Sequence, residues 1–148
     1  MQKRHLVFLV GLIVTACRSA QAPAPGGPLR LVAVQEKPLP VAVTRQDDQR
    51  PLSLVSGELR VLGADTLIVS GEFADGETLT RRSWRSDTLH RSRATQGTFV
   101  SELPGMHRDM PVVVPWHLRW DEKTLVISSN AAGELLGMSG PFRFSPQR

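Results

Sequence analysis

The stretch Ser56–Phe73, SGELRVLGADTLIVSGEF, decides the fold. Successive side chains of an extended chain point to opposite sides. Leu59 and Val61 therefore fall on one face, and Glu58 and Arg60 on the other. Gly63-Ala64-Asp65 interrupts the alternation with turn-forming residues, and Thr66–Phe73 resumes it with Leu67, Val69 and Phe73 on a common face. Two alternating runs joined by a short Gly/Asp turn make an antiparallel hairpin. A lone hairpin cannot bury its apolar face, so further strands must cover it.

Those strands lie on both sides. Upstream, Leu39–Thr44 reads as an edge strand flanked by proline, and Leu29–Val34 either extends it or belongs to the segment before it. Downstream, Ala74-Asp75-Gly76 turns the chain into Thr78–Arg85, and Ser86-Asp87 reads as a further turn into Thr88–Arg93. Thr95-Gln96-Gly97 precedes a strand centred on Phe99. Leu103–Pro111, LPGMHRDMP, has no alternation and reads as a loop. Val112–Trp120 places Val112, Val114, Trp116, Leu118 and Trp120 on one face, and Pro115 inside it points to an edge or a bulge. Asp121-Glu122-Lys123 turns into Thr124–Ser128, where Leu125 and Ile127 share a face. Glu134–Phe144 reads as a last strand or bent pair with Phe142 and Phe144 together. Helical periodicity is nearly absent. The expected fold is all-β, an antiparallel meander closing into a small barrel or sandwich. Its expected inner set is Leu59, Val61, Leu67, Val69, Phe73, Phe99, Trp116, Leu118, Leu125, Ile127, Phe142 and Phe144.

The first residues follow a different logic. Lys3 and Arg4 precede Leu6–Val14, a nine-residue apolar run. That length suits the core of a secretory signal, whereas a helix crossing ~30 Å of hydrocarbon needs about 18 apolar residues. Val14-Thr15-Ala16-Cys17 follows and resembles the lipobox of bacterial lipoproteins. The resemblance implies cleavage between Ala16 and Cys17, and diacylglycerol on the Cys17 thiol. Cys17 is the only cysteine, so no disulfide forms within the chain. Lipidation gives it a use, and two or three acyl chains hold a protein stably where one does not. Arg18–Pro28, RSAQAPAPGGP, reads as a polyproline-like tether. The expected organisation is a signal peptide over 1–16, a lipidated tether over 17–38 and a β-rich domain over 39–148. Arg18, in place of Asp after Cys17, resembles the sorting signal that favours the outer membrane of a Gram-negative envelope.

The formal net charge of the 148-residue chain is +4, and losing Lys3 and Arg4 with the signal halves it. So small a charge on an exported domain argues against a nucleic-acid partner. His90, His107 and His117 contain no close pair and Cys17 is taken by lipid, so no metal is expected, nor any cofactor beyond the covalent lipid. His107-Arg108-Asp109 lacks a nucleophile elbow beside it, and the glycines follow no phosphate-loop spacing. No catalytic constellation emerges. The unusual segment is Arg81–Arg93, RRSWRSDTLHRSR, in which Arg81, Arg82, Arg85, Arg91 and Arg93 surround Trp84 and Leu89 against the single acid Asp87. It reads as a hairpin carrying an anion-facing or partner-facing patch, or as a solvated face whose arginine stems cover apolar surface.

The rhythm of SGELRVLGADTLIVSGEF, and of KTLVISS at Lys123–Ser129, is similar to that of small lipocalin-like lipoprotein domains. That resemblance implies a non-enzymatic module binding a small apolar or amphiphilic ligand inside a barrel, and it carries over no binding residue. An interaction module using the Arg-rich segment or the Leu103–Pro111 loop is the alternative. A hydrolase would need His107 or His117 beside a serine or an acid in a cleft. A hollow interior favours the first reading; a filled core with an exposed patch around Trp84 favours the second.

Overall fold

In the computed structural model, which describes residues 27–43, 52–75, 82–103, 112–130 and 133–147, the expected hairpin is the longest ladder. Strands β4 (Leu52–Leu62) and β5 (Thr66–Asp75) pair from Leu52↔Asp75 to Leu62↔Thr66. Gly63 occupies the turn at φ 68°, where a side chain would be strained. Around this hairpin lie β1 (Leu29–Val34), β2 (Lys37–Pro38), β3 (Val41–Val43), β6 (Arg82–Arg91), β7 (Thr98–Leu103), β8 (Val112–Asp121), β9 (Thr124–Ser128), β10 (Glu134–Leu135), β11 (Met138–Ser139) and β12 (Phe142–Pro146).

Eight of these form a closed antiparallel barrel, in the circuit β1–β4–β5–β6–β7–β8–β9–β12 and back to β1. Neighbours in space follow one another along the chain, so the barrel is the meander read from the alternation. It closes because β1 pairs with β12 on one side and, through Leu29↔Leu59 and Arg30↔Glu58, with β4 on the other. Closure gives every strand of the circuit a neighbour on both sides, although β6 and β7 share only two residue pairs. β3 pairs with β4 outside the circuit, as an edge strand.

The inner set is as expected. All twelve residues are buried except Val61, which is half-buried against the core. Leu54, Val69, Leu89, Trp116, Leu125, Ile127, Phe142 and Phe144 have no accessible surface, so no water-sized void touches them and the middle of the barrel is packed. Trp116 meets Phe142 edge-on, with ring centroids 6.3 Å apart, and its indole N–H donates to Ser101 Oγ at 2.8 Å. The wall outside is largely polar, with Arg30, Arg60 and Arg119 exposed and Glu58 half-buried, and with Val32, Leu62, Val113 and Trp120 scattered among them. A barrel immersed in lipid has the opposite disposition, an apolar band outside. Arg143 on β12 donates to Glu36 at 2.9 and 3.0 Å and to Asp121 at 3.3 Å. The bonds to Glu36, then to Asp121, raise its pKa above the usual arginine range.

Four expectations are corrected. Leu29–Val34 is a barrel strand and no part of the tether, so the domain begins before residue 39. A bulge between Leu31 and Ala33 moves the inward positions from Leu29 and Leu31 to Val34, which disguises the alternation. There is no turn at Ser86-Asp87: β6 runs unbroken beside β5 from Arg82 to His90, and neither residue has the positive φ of a tight hairpin turn. Glu134–Phe144 divides into the β10–β11 hairpin and β12. Trp120, one residue before the end of β8, is exposed, outside the core its alternation suggested. Pro115 sits where β8 has not yet met β9, which it joins only from His117 onward. Its carbonyl accepts from Ser129 Oγ at 2.6 Å, so its missing N–H costs the ladder nothing.

Candidate site at the β6 wall and barrel mouth

The wall is unevenly knit. β5 pairs with β6 from Thr66↔His90 to Ala74↔Arg82, but β6 pairs with β7 only at His90↔Val100 and Arg91↔Phe99. Beyond that point the two strands part. Two bonds set the phase of the open edge: Arg91 N–H donates to Asp65 O on the β5 side, and Ser92 N–H to Thr98 O on the β7 side, both at 2.8 Å. Backbone groups alternate along a strand. Ser83, Arg85, Asp87 and Leu89 therefore bond toward β5, while Arg82, Trp84, Ser86 and Thr88 direct N–H and C=O toward β7, where no described strand receives them.

Side-chain exposure agrees. From Arg82 to Ser86 every residue of β6 is exposed, on both faces, and alternation appears only toward buried Leu89. Trp84 is 67% exposed. Arg82 lies 3.4 Å from Glu72, which also accepts from Ser56 Oγ at 3.1 Å. Arg85 pairs with Gly71 and lies on the inward side, and it has no ion-pair partner among the described residues. Arg85, Ser83 and Trp84 rim a cleft of about 160 Å³ whose apolar lining is Val43, Leu52, Phe73 and Leu136.

Leu136 is the tip of the β10–β11 hairpin, which crosses this end of the barrel. Leu136 and Gly137 have φ of 57° and 76°, the signs of a two-residue turn between Leu135 and Met138. Leucine is poorly suited to that backbone, at a cost of about 1–3 kcal/mol, yet its side chain is fully buried. Gly71 makes room for it: a Cβ there would stand 2.8 Å from Leu136 Cδ1 and 2.7 Å from Leu54 Cδ1. The Leu136 N–H donates to Asp87 Oδ2 on β6. On the other flank Gln35 Nε2 donates to Ser139 O and Oγ, at 3.1 and 2.9 Å. The hairpin is a plug held from two sides.

The Arg-rich segment thus divides. Arg82, Trp84 and Arg85 gather at the mouth. Arg91 stands at the far end of β6, about 20 Å from Arg85 and about 30 Å from Arg82 at ~3.3 Å per residue, with its guanidinium 5.6 Å from the Phe99 ring centre and 3.1 Å from Asp65. Arg93 is exposed in the turn beyond. Arg81, Ala16, Cys17 and the whole His107-Arg108-Asp109 loop lie outside the described residues. His90 and His117 are exposed on the wall, and no group of acids and histidines among the described residues could hold a metal ion. Sequence reasoning missed Asp87, Leu136 and Gly71. Their signals, a glycine within a strand and a Leu-Leu-Gly run, gain meaning only from contacts across the barrel. A scan against family models matches none, and searches of curated proteins and of solved structures find no match either.

Proposed function

We propose that this chain is a membrane-anchored lipoprotein of the bacterial envelope, exported under residues 1–16 and held by diacylglycerol on Cys17, whose barrel is a non-enzymatic binding module that meets its partner at the β6 wall. Arg18 after Cys17 favours the outer membrane where the cell has one. The observation that carries the binding reading is the stretch Arg82–Ser86, exposed on both faces, with Trp84 bare and Arg85 without an ion-pair partner among the described residues. Exposed tryptophan and arginine are the side chains most often responsible for binding energy at protein surfaces. The packed interior argues against a ligand enclosed at the barrel's centre.

Mass spectrometry of the mature N-terminus tests the anchor; an unmodified Cys17 thiol sinks it. For the wall, the full chain in neutral detergent is titrated with poly-L-glutamate and, separately, with anionic phospholipid vesicles. Binding to at least one is expected, weakening as salt rises and falling about tenfold, or ~1.4 kcal/mol, when Arg82 and Arg85 are both exchanged for Gln. A variant that binds as the parent does removes β6 from the reading.

The cleft of about 160 Å³ favours a second reading, in which the apolar end of a small amphiphile lies on Val43, Leu52, Phe73 and Leu136 and its anionic head meets Arg85. Fluorescent fatty-acid binding lost on Phe73→Arg but retained on Trp84→Ala would favour it.

A further inference from the structure

Resting on the β6 reading, we infer that the partner is an extended acidic segment of another protein, which adds itself as a further strand to the edge of β6 that pairs with no other strand among the described residues. Arg82, Trp84, Ser86 and Thr88 offer the edge four N–H donors and four C=O acceptors in the regular phase of a β-ladder. Such an edge is a template for an added strand. Natural edges are usually blunted by proline, by bulges or by being short. β6 has no proline, and its register with β5 is continuous.

Charge selects the occupant. The outward side chains of β6 along this edge are Arg82, Trp84, Ser86 and Thr88; Arg82 already meets Glu72 of β5, while Arg85 on the other face has no ion-pair partner among the described residues and is the cation left for an incoming acid. An incoming strand with Glu or Asp at alternate positions places carboxylates beside Arg82, and the opposite alternation places them beside Arg85; directly opposed charges stabilise a strand pair. Trp84, between the two arginines, supplies flat apolar area for a neighbouring aliphatic side chain. A second copy of this chain would bring its own Arg82 and Arg85 to the edge, like charge against like, which is why an acidic segment fits better.

The probe is a capped synthetic peptide alternating Glu with Val and Thr, long enough to span Arg82–Thr88, titrated against the full chain in neutral detergent. Ser86→Pro removes an N–H that points to the free edge and leaves the ladder to β5 intact, a position where a strand tolerates proline. It should weaken peptide binding about tenfold or more. The same loss is expected with the parent chain when the peptide's alternate backbone nitrogens are methylated, a test independent of how the variant folds. Equal binding of methylated and unmethylated peptide overturns strand addition, even if Arg85→Gln still weakens both and the β6 reading stands. Binding to anionic vesicles but not to the peptide also overturns this inference and keeps that reading. A chain that sediments as a dimer, and as a monomer after Ser86→Pro, identifies a second copy as the occupant and overturns the acidic one. Binding to neither peptide, polyglutamate nor vesicle overturns both.

Discussion

Two stretches of the same wall are built to different standards. The β4–β5 ladder runs the length of both strands, and β8, paired first with β7 and then with β9, carries Trp116 with no accessible surface. Next to β5, β6 is bonded along one side to β5 but shares only two residue pairs with β7 on the other, and Trp84 is 67% exposed. The first stretch is what a barrel needs in order to be stable. The second does little for stability, because the exposed part of β6 buries almost nothing. Keeping a long strand, three large side chains and an open edge there is better explained by recognition than by folding.

The comparison breaks first at Trp116. Trp116→Ala removes the largest fully buried side chain, its edge-on contact with Phe142 and its hydrogen bond to Ser101. The expected cost is about 3–5 kcal/mol, measured by urea unfolding of the full chain. A loss under about 1 kcal/mol would mean that the barrel's centre is looser than its buried surfaces indicate.

Leu136 sharpens the comparison, because there the packed region reaches across to the open one. Leu136→Ala should cost about 2–5 kcal/mol through lost burial. Ordinarily glycine would be worse than alanine by roughly 0.5–1 kcal/mol. At φ 57° the order should reverse, since glycine relieves a backbone strain of about 1–3 kcal/mol that alanine retains. Leu136→Gly should therefore unfold at a urea concentration equal to or above that of Leu136→Ala. The usual order would show that the tip of the plug is not strained. Asp87→Ala removes the acceptor of the Leu136 N–H and should cost about 1.5–3 kcal/mol, the range for a hydrogen bond to a charged group.

Much of this was legible from alternation alone, and its limits have physical causes. The β4–β5 hairpin and nearly the whole inner set follow from period two, because each of those residues sits in a strand whose faces differ. β1 was obscured because a bulge at Leu31/Ala33 breaks that period. Ser86-Asp87 looked like a turn because both residues favour turns locally, but a fully paired neighbour in β5 overrides local preference. The candidate site was half legible: arginines around a tryptophan are a composition any reader of the chain can see. What composition cannot show is that Arg82 and Arg85 belong to one end of the barrel and Arg91 to the other, or that Asp87 holds a plug. Those facts depend on which strand neighbours which, and on where a ladder stops.

The smallest expected effect is also the sharpest contrast with Trp116. Trp84→Ala deletes a side chain of the same size from a position that is two-thirds bare, and none of its polar atoms has a partner among the described residues. Unfolding free energy should change by no more than about 0.5 kcal/mol, against the several expected at Trp116, while binding of the acidic peptide weakens. A residue chosen for folding loses stability and function together when truncated; one retained for recognition separates them. If Trp84→Ala destabilised the barrel as Trp116→Ala does, β6 would be part of the packed structure and the contrast between the two stretches would disappear. If it left both stability and binding untouched, the arginines alone would carry recognition, and Trp84 would be no more than a large side chain on a charged strand.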